Sequence, residues 1–432
     1  MNRSKRILSQ LICALCAIAL LTLSPMPRTA LADGAFTPAL DTGASCTLLV
    51  SGHYDNFEAL EAEFARFKAY YPNVKLRYEK IDDYKNNIGK ALQLGDEAPD
   101  IFFTYPSMVG LEQFQPMFAS AEDLSDPALN IDLGCVREHL LHREEDGRVL
   151  SVPIYCETYG MLVNETLFEK ENIPIPKTYE DLLAACEALK NAGYSSPMMG
   201  FNGSNLLIYP LYFPYFLAQI RDDEAALSAL NSMDASAGEY VRDSLELAAD
   251  FMSRGYIDLD ACNLLDKDYD PVILRFFEGD VPMMVAKGGT VSGTEKRESR
   301  SEAFTANPFR YSFHPIPSTP EGGYFMDAVS MGFAVNKNSQ NLDMANEFMR
   351  FLITTEELNT MARAKRMVTP CADMSLDAIY AAFGELPEGH IINVAELGLE
   401  SRPDAQARIA GWRVSNGLMT VDEAVAAFGT LE

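Results

Sequence analysis

The chain has 432 residues, too many for one ordinary hydrophobic core, and 48% of them are hydrophobic, which argues against disorder and for two lobes. Its 62 acidic against 35 basic residues give a formal net charge of −27, a surface that repels nucleic acid and anionic membrane and favours solubility outside the cell. The overall sign leaves the charge of a ligand open, because a site can differ from the surface around it.

At the N-terminus Arg3, Lys5 and Arg6 precede an apolar run over residues 7–23, and Ala30-Leu31-Ala32 supplies an A-x-A cleavage signal before Asp33. This predicts a secretory signal peptide over residues 1–32 rather than a membrane anchor, since the run is short and no second span follows. Its loss removes Arg3, Lys5, Arg6 and Arg28, leaving the remainder four charges more negative. Cys13 and Cys16 lie inside the run behind Ile12 and Leu15, where a lipoprotein cysteine would follow a small residue, so they read as apolar filler and no lipid anchor is expected. The chain is therefore expected to be secreted, periplasmic or at the cell surface. Cys46, Cys135, Cys156, Cys186, Cys262 and Cys371 remain, with no C-x-x-C or Cys/His pair of metal spacing, which argues against a zinc site; their pairing is open.

Residues 33–45 read as a flexible leader. A strand then ends in Ser51-Gly52-His53-Tyr54, an amphipathic helix follows with Phe57, Leu60, Phe64 and Phe67 on one face, and Val74-Lys75-Leu76-Arg77-Tyr78 is the next strand. That is the opening of a βαβ unit. A second helix over residues 84–94 leads to the strand Ala98-Pro99-Asp100-Ile101-Phe102-Phe103, whose polar end lies beside that of the first strand, at the edge where open α/β sheets hold ligands. Further on come Val152-Pro153-Ile154-Tyr155-Cys156-Glu157, Tyr159-Gly160-Met161-Leu162-Val163-Asn164, and a helix starting at Lys177-Thr178-Tyr179-Glu180-Asp181 with Thr178 as N-cap. Phe276-Phe277-Glu278-Gly279-Asp280-Val281-Pro282-Met283-Met284, Ala334-Val335-Asn336-Lys337-Asn338-Ser339 and Ala345-Asn346-Glu347-Phe348 complete the pattern.

In their order along the chain these segments resemble the extracellular solute-binding proteins of ABC importers, in the family that includes maltose- and oligosaccharide-binding proteins. Each motif is short; their order from residue 48 onward carries the resemblance. It implies an α/β, two-lobe periplasmic-binding-protein fold of type II-like form, each lobe a mostly parallel sheet flanked by helices. Three hinge crossings are expected, near residues 152–157, 311–317 and 338–342. Lobe one is expected to comprise residues 46–153 plus 311–340, and lobe two residues 157–308 plus 343–432. The implied role is capture of a solute, a carbohydrate by resemblance, between lobes that close on it, with delivery to the permease subunits of an ABC transporter. No cofactor, metal or nucleic acid is expected, and the chain is expected to be a monomer.

Alternatives are a secreted carbohydrate-active enzyme and a surface sensor or adhesion module on the same fold. Catalysis is disfavoured: there is no G-x-S-x-G, H-E-x-x-H or P-loop, and no carboxylate pair is marked as acid and base. His139 and His142, three apart beside Arg143 and Glu144, read as a solvated helix face.

Sugars present flat C–H faces ringed by hydroxyls, so a cleft for them needs aromatic platforms and hydrogen-bonding groups together, and tyrosine supplies both. The densest aromatic stretch holds Phe201, Tyr209, Tyr212, Phe213, Tyr215 and Phe216. Phe213 and Phe216 read as core; Tyr209 and Tyr212 read equally as core or as ligand contacts. By resemblance Glu157 contacts sugar hydroxyls, with a surface salt bridge as its other reading. Tyr155 and Tyr159 stand two residues either side, which places all three on one face of an extended segment. From lobe one Tyr54 and Tyr105 lie at strand ends facing the cleft, whereas Asp100 reads as structural.

In Lys287-Gly288-Gly289-Thr290 the glycine-tryptophan of relatives is replaced by Gly289-Thr290, so Gly289 offers close backbone approach and Lys287 a cation, with a plain loop as the alternative. Asp327, after Gly322-Gly323-Tyr324-Phe325-Met326, is the preferred contact from that loop, with capping of its own backbone as the alternative. Trp412, the one tryptophan, compensates from the C-terminal region or packs as core. Arg366 is a further candidate facing cleft or water. Scarce tryptophan points away from a long maltodextrin toward a smaller or more acidic solute.

Overall fold

The continuous buried runs Thr47–Gly52 and Ile101–Thr104 form strands β1 and β3, and Lys75–Lys80, which alternates apolar with polar residues, forms β2; the helices Glu58–Phe67 and Tyr84–Ala91 join them. The computed structural model describes residues 36–109, 111–387 and 389–431, so the expected signal peptide lies outside them. Residues 36–39 carry no helix or strand, and the chain from Leu40 onward is one compact unit. Among the described residues no helix is long and apolar enough to cross a membrane.

β1 pairs in parallel with β2, Thr47 opposite Lys75, and with β3, Val50 opposite Ile101. The expected βαβ unit is therefore present. The Glu58–Phe67 helix buries Leu60, Phe64 and Phe67, which stand at helical spacing, and Phe64 and Phe67 meet Phe348 at 5.3 and 5.2 Å. Asp100 is the structural carboxylate its position suggests: it accepts from the Leu49 backbone N–H at 2.6 Å and from Ser339 and Asn341.

Strands β4 (Val152–Glu157), β5 (Tyr159–Asn164), β6 (Met198–Met199), β7 (Met283–Lys287), β8 (Tyr311–His314), β9 (Phe325–Val335) and β10 (Ile391–Asn393) complete two sheets. The first has six strands, ordered β10-β9-β3-β1-β2 with β4 also on β9; the second has four, ordered β6-β7-β5-β8. Each sheet with its helices forms a lobe, except that β10 joins the first sheet only through the start of β9, Ile391 opposite Phe325, and also touches the Tyr209–Ile220 helix. The second sheet departs from the mostly parallel expectation, because β5 pairs antiparallel with both β7 and β8 and only β6 with β7 is parallel. The first lobe's sheet also takes two antiparallel pairings, of β9 with β3 and with β4.

Two expected lobe boundaries move. Tyr311–His314, expected to return to lobe one, is a strand of the second sheet, with Leu162 opposite Phe313. The second crossing therefore begins at Pro315. Residues 338–342 make no crossing either: the helices Leu342–Leu352 and Thr355–Ala364 both pack on the Glu58–Phe67 helix of lobe one. Their buried faces, Phe348 and Phe351 in one and Leu358 and Met361 in the other, complete the first core. The third crossing follows the bridges Cys156 to Val368 and Val136 to Cys371, after which the Ala378–Glu385 segment packs on β8. The six cysteines named above are free thiols, five of them buried.

The Tyr179–Asn191 helix starts with a full capping box, the Thr178 hydroxyl accepting from the Asp181 backbone and the Asp181 carboxylate accepting from that of Thr178. Helices Tyr209–Ile220, Arg242–Ser253 and Ser401–Ser415 pack together in the second lobe, the first of them buried along most of its length.

Candidate functional site

β4 passes into β5 through Thr158, which is fully buried and whose hydroxyl accepts from the Met326 backbone N–H at 3.0 Å, tying the first crossing to the second. Glu157 and Tyr159 flank it and are both half-buried. Tyr155 does not share their face. The β4–β9 ladder slips between Pro153 and Tyr155 and again between Tyr155 and Cys156, so the period of two is lost. Tyr155 is instead 1% exposed in the first core, 6.1 Å from the Phe57 ring.

Glu157 sits against the turn after β7. A Cβ on Gly288 would lie 2.9 Å from that of Glu157, so only glycine permits the approach. The Gly289 backbone N–H donates to the Glu157 carboxylate, which burial pushes above the usual range while Lys287 and that hydrogen bond pull it back. Lys287 stands opposite Tyr159 in the ladder and 3.3 Å from Asp268, which also accepts from the Thr290 hydroxyl at 3.2 Å. Tyr159, Phe201, Leu206, Pro210, Asp268 and Lys287 enclose a cavity with room for roughly one water. Larger cavities lie elsewhere, one of about 250 Å³ beside Arg221, Tyr324 and His390 and one of about 200 Å³ beside Arg77 and Asp100; neither contains a residue marked as a ligand contact from sequence.

Tyr159 meets Tyr209 edge-on at 4.9 Å, and Tyr209 stacks on Phe213 at 4.5 Å. Arg408 lies over both rings, paired with Asp404 at 2.7 Å. The Tyr209 hydroxyl is buried and has no hydrogen-bond partner among the described residues. Tyr212 is core: it is 1% exposed, and a Cβ on Gly411 would fall 2.1 Å from its ring, so the C-terminal helix closes directly on it. Trp412 on that helix donates from Nε1 to the Asn202 carbonyl at 3.2 Å, and the Asn202 side chain bonds Asn263 and Asn416, so the indole is fixed in place.

From the first lobe, Tyr54 packs on Phe57 and Phe103 and is half-exposed. Burial raises its hydroxyl well above the tyrosine range, and the nearby Tyr269, Tyr78 and Glu157 add to the shift. Tyr105 is one ring further out, its hydroxyl bonded to His53 Nδ1. Asp327 is 2% exposed and committed: Arg137 donates to it from Nε and Nη2 at 2.7 and 2.8 Å, and His139 Nε2 lies at 2.8 Å. Neither a turn cap nor a free ligand contact, it anchors the first crossing region, and His139 belongs to this buried cluster rather than to a solvated face. Arg366 reaches Thr294 and Tyr311 instead of open cleft.

The profile of the bacterial extracellular solute-binding proteins matches residues 51–358. The chain belongs to that family. No curated protein sequence matches it. In fold this solute-binding protein is similar to apo RafE from Streptococcus pneumoniae, at TM-score 0.68 and 15% identity over 90% of this chain and 97% of that one. It is similar also to the sugar-binding protein MalE of Xanthomonas citri, at 0.64 and 16% over 89% and 95%. The GacH receptor of Streptomyces glaucescens, described with acarbose, gives 0.62 and 17% over 89% and 97%. The family is one of binding proteins rather than enzymes, and the two-lobe α/β fold is the one these neighbours have.

Sequence reasoning passed over Arg408, Asp404, Asp268 and Tyr269 of this solute-binding protein. Asp404, Arg408 and Trp412 stand four apart on one helix, a spacing legible in the sequence that places them on one face. Tyr269 had no such signal. Its backbone takes φ 99°, a conformation that a bulky residue rarely adopts. Its ring is held by the Arg297 guanidinium at 4.7 Å, in space left by Gly293, where a Cβ would lie 2.7 Å from the phenol.

Proposed function

We propose that this protein is exported by its N-terminal 32 residues, captures a neutral carbohydrate between its lobes, and delivers it to the permease of an ABC transporter. The carrying observation is the buried, unpartnered Tyr209 hydroxyl set among cations that are already paired. Lys287 is matched by Asp268, and Arg408 by Asp404. An anionic solute would find no unpaired cation there, whereas a hydroxyl-rich ring meets the Glu157 carboxylate, the Tyr159 and Tyr209 phenols and the Gly289 backbone. This favours the neutral over the acidic solute left open by composition.

The proposed contacts are Glu157, Tyr159, Tyr209, Lys287 and Gly289 from the second lobe and its crossing, with Tyr54 closing from the first and Tyr269 added. Tyr155, Tyr212 and Asp327 are structural in this reading, Trp412 positions the Arg408 face, and Tyr105 supports His53 behind Tyr54. The cavity beside Lys287 is lined by second-lobe residues alone and holds only about one water, too little for a sugar; in this reading the solute enters at the seam facing Tyr54, by the proposed hinge motion about the three crossings. The names of the structural neighbours support the carbohydrate class: one is RafE in complex with raffinose and another a sugar transporter in complex with stachyose.

A thermal-shift screen with raffinose, stachyose, maltotriose, glycerol 3-phosphate and citrate tests the reading, since a solute that binds only the folded chain raises the melting temperature by mass action. At least one neutral sugar is expected to do so; stabilisation by the two anions alone refutes it.

A further inference from the structure

The lobes also meet outside the aromatic cluster, at the helix Thr294–Glu298 of the second lobe. Lys296 Nζ lies 3.0 Å from Glu58 Oε1, and Glu58 is the first residue of the Glu58–Phe67 helix of the first lobe. The other Glu58 oxygen lies 3.7 Å from Lys365 Nζ, and that ammonium stands 5.4 Å from the centre of the Tyr54 ring. Beside them Arg366 Nη1 donates to Thr294 Oγ1 and to Tyr311 Oη, both at 3.0 Å.

These two contacts differ in kind. Arg366 follows the last helix of the first lobe, has a left-handed backbone at φ 47°, and its carbonyl accepts from the Tyr380 hydroxyl at 2.9 Å. It is built into the start of the third crossing and stays with it. Lys296 and Glu58 are joined only through their side-chain tips, and these are 53% and 51% exposed. Such a pair adds little to folding, because both ends are nearly as well solvated apart. Between lobes its effect falls elsewhere: the pair exists only when the rims meet, so its whole interaction energy weights the closed side of the lobe equilibrium.

We infer that Glu58 and Lys296 form an electrostatic latch that favours lobe closure, with Lys365 holding Glu58 from its own lobe and the Arg366 contacts serving as the pivot. The inference rests on the proposed closure around a solute and deepens it by naming a contact that sets how readily the lobes shut. A latch of exposed charges weakens as ionic strength rises, whereas hydrophobic closure is not loosened by added simple salt.

Small-angle scattering of the ligand-free protein decides it, at about 0.01 M and about 1 M salt, where the Debye length falls from about 30 Å to about 3 Å. The latch requires the radius of gyration of the wild type to grow with salt. Glu58→Gln and Lys296→Gln are then expected to show the larger radius already at low salt, and the double variant to add nothing to either. Superimposable profiles for wild type and variants at both salts overturn it. Calorimetry with raffinose and stachyose separates this from the carbohydrate reading. Where the wild type binds a sugar, each single variant is expected to bind it about two- to fivefold more weakly, the range of an exposed ion pair. Unchanged affinity in all three variants overturns the latch alone, whereas no heat from either sugar counts against the carbohydrate reading and leaves the latch to the scattering result.

Discussion

The guanidinium carbon of Arg408 stands 4.4 Å from the centre of the Tyr209 ring, and two hydrogen bonds to Asp404, at 2.7 and 3.2 Å, fix it there. The ring face on which a sugar would stack is therefore covered, and Tyr209 offers its hydroxyl instead. A cation over an aromatic face contributes about 0.5–2 kcal/mol. Since Phe213 shares the same cation at 4.7 Å, the arrangement is part of the second core as well as of the site.

Arg408→Ala and Tyr209→Phe separate these roles. Arg408→Ala is expected to lower stability by about 1–2 kcal/mol, read by denaturant unfolding. Tyr209→Phe removes a buried hydroxyl that has no partner, so unliganded stability should hold or rise slightly, while sugar affinity falls about tenfold from the loss of one hydrogen bond in a dry site. Equal affinity of Tyr209→Phe and wild type in titration calorimetry would remove Tyr209 from the site.

Glu157 makes binding pH-dependent with a definite sign. Burial holds its proton to higher pH than an ordinary carboxyl, so its contribution to folded stability is present at acid pH and is lost as pH rises through the raised value. Binding runs the other way, because only the carboxylate accepts from two hydroxyls at once. Sugar affinity should thus increase from the ordinary carboxylate range toward neutrality. Glu157→Gln should flatten that profile and cost about tenfold in affinity at neutral pH; a profile of unchanged shape in the variant would assign the titration to another group.

Tyr269 sits at φ 99°, a strained backbone of the kind that costs about 1–3 kcal/mol. Glycine relieves that cost and alanine does not. Tyr269→Gly is expected to be more stable than Tyr269→Ala by about 1 kcal/mol, and both should bind sugar more weakly than wild type. If both variants bind as tightly as the wild type, the strain serves folding rather than the ligand.

Arg137 and Asp327 form a buried pair behind the site, Asp327 standing next to Ala328, which lies opposite Glu157 in the ladder. Removing the cation leaves the carboxylate with His139 as its one remaining side-chain partner among the described residues, so Arg137→Met should destabilise the protein by about 1–3 kcal/mol. Sugar affinity of the folded fraction should stay within about twofold of wild type, a difference of less than 0.5 kcal/mol. A selective loss of affinity without destabilisation would return Asp327 to the site.

Local elements were legible where their determinants are local. The apolar spacing of Leu60, Phe64 and Phe67 and the Thr178–Asp181 capping box both follow from neighbours a few residues away. Strand partnership did not. Tyr311–His314 alternates as well for one sheet as for the other, and only the match of Phe313 to Leu162 selects the second. The face that Tyr155 takes is not legible in the sequence, because a slipped ladder leaves no mark in the residue types of Pro153, Tyr155 and Cys156.

What the amino-acid order determined on its own is the class of molecule: an acidic, two-lobe α/β chain, assembled from segments whose sequence along the chain is that of a solute-binding protein. What only the tertiary structure decided is which side chains are free to meet a solute. Tyr209 and Arg408, or Arg137 and Asp327, are brought together by packing between distant elements, and a charge that reads as available from residue type alone is silenced once folding sets a counter-charge 3 Å away. Hydrophobic periodicity acts over a few residues and so is written locally, whereas electrostatic balance and burial are properties of the assembled surface.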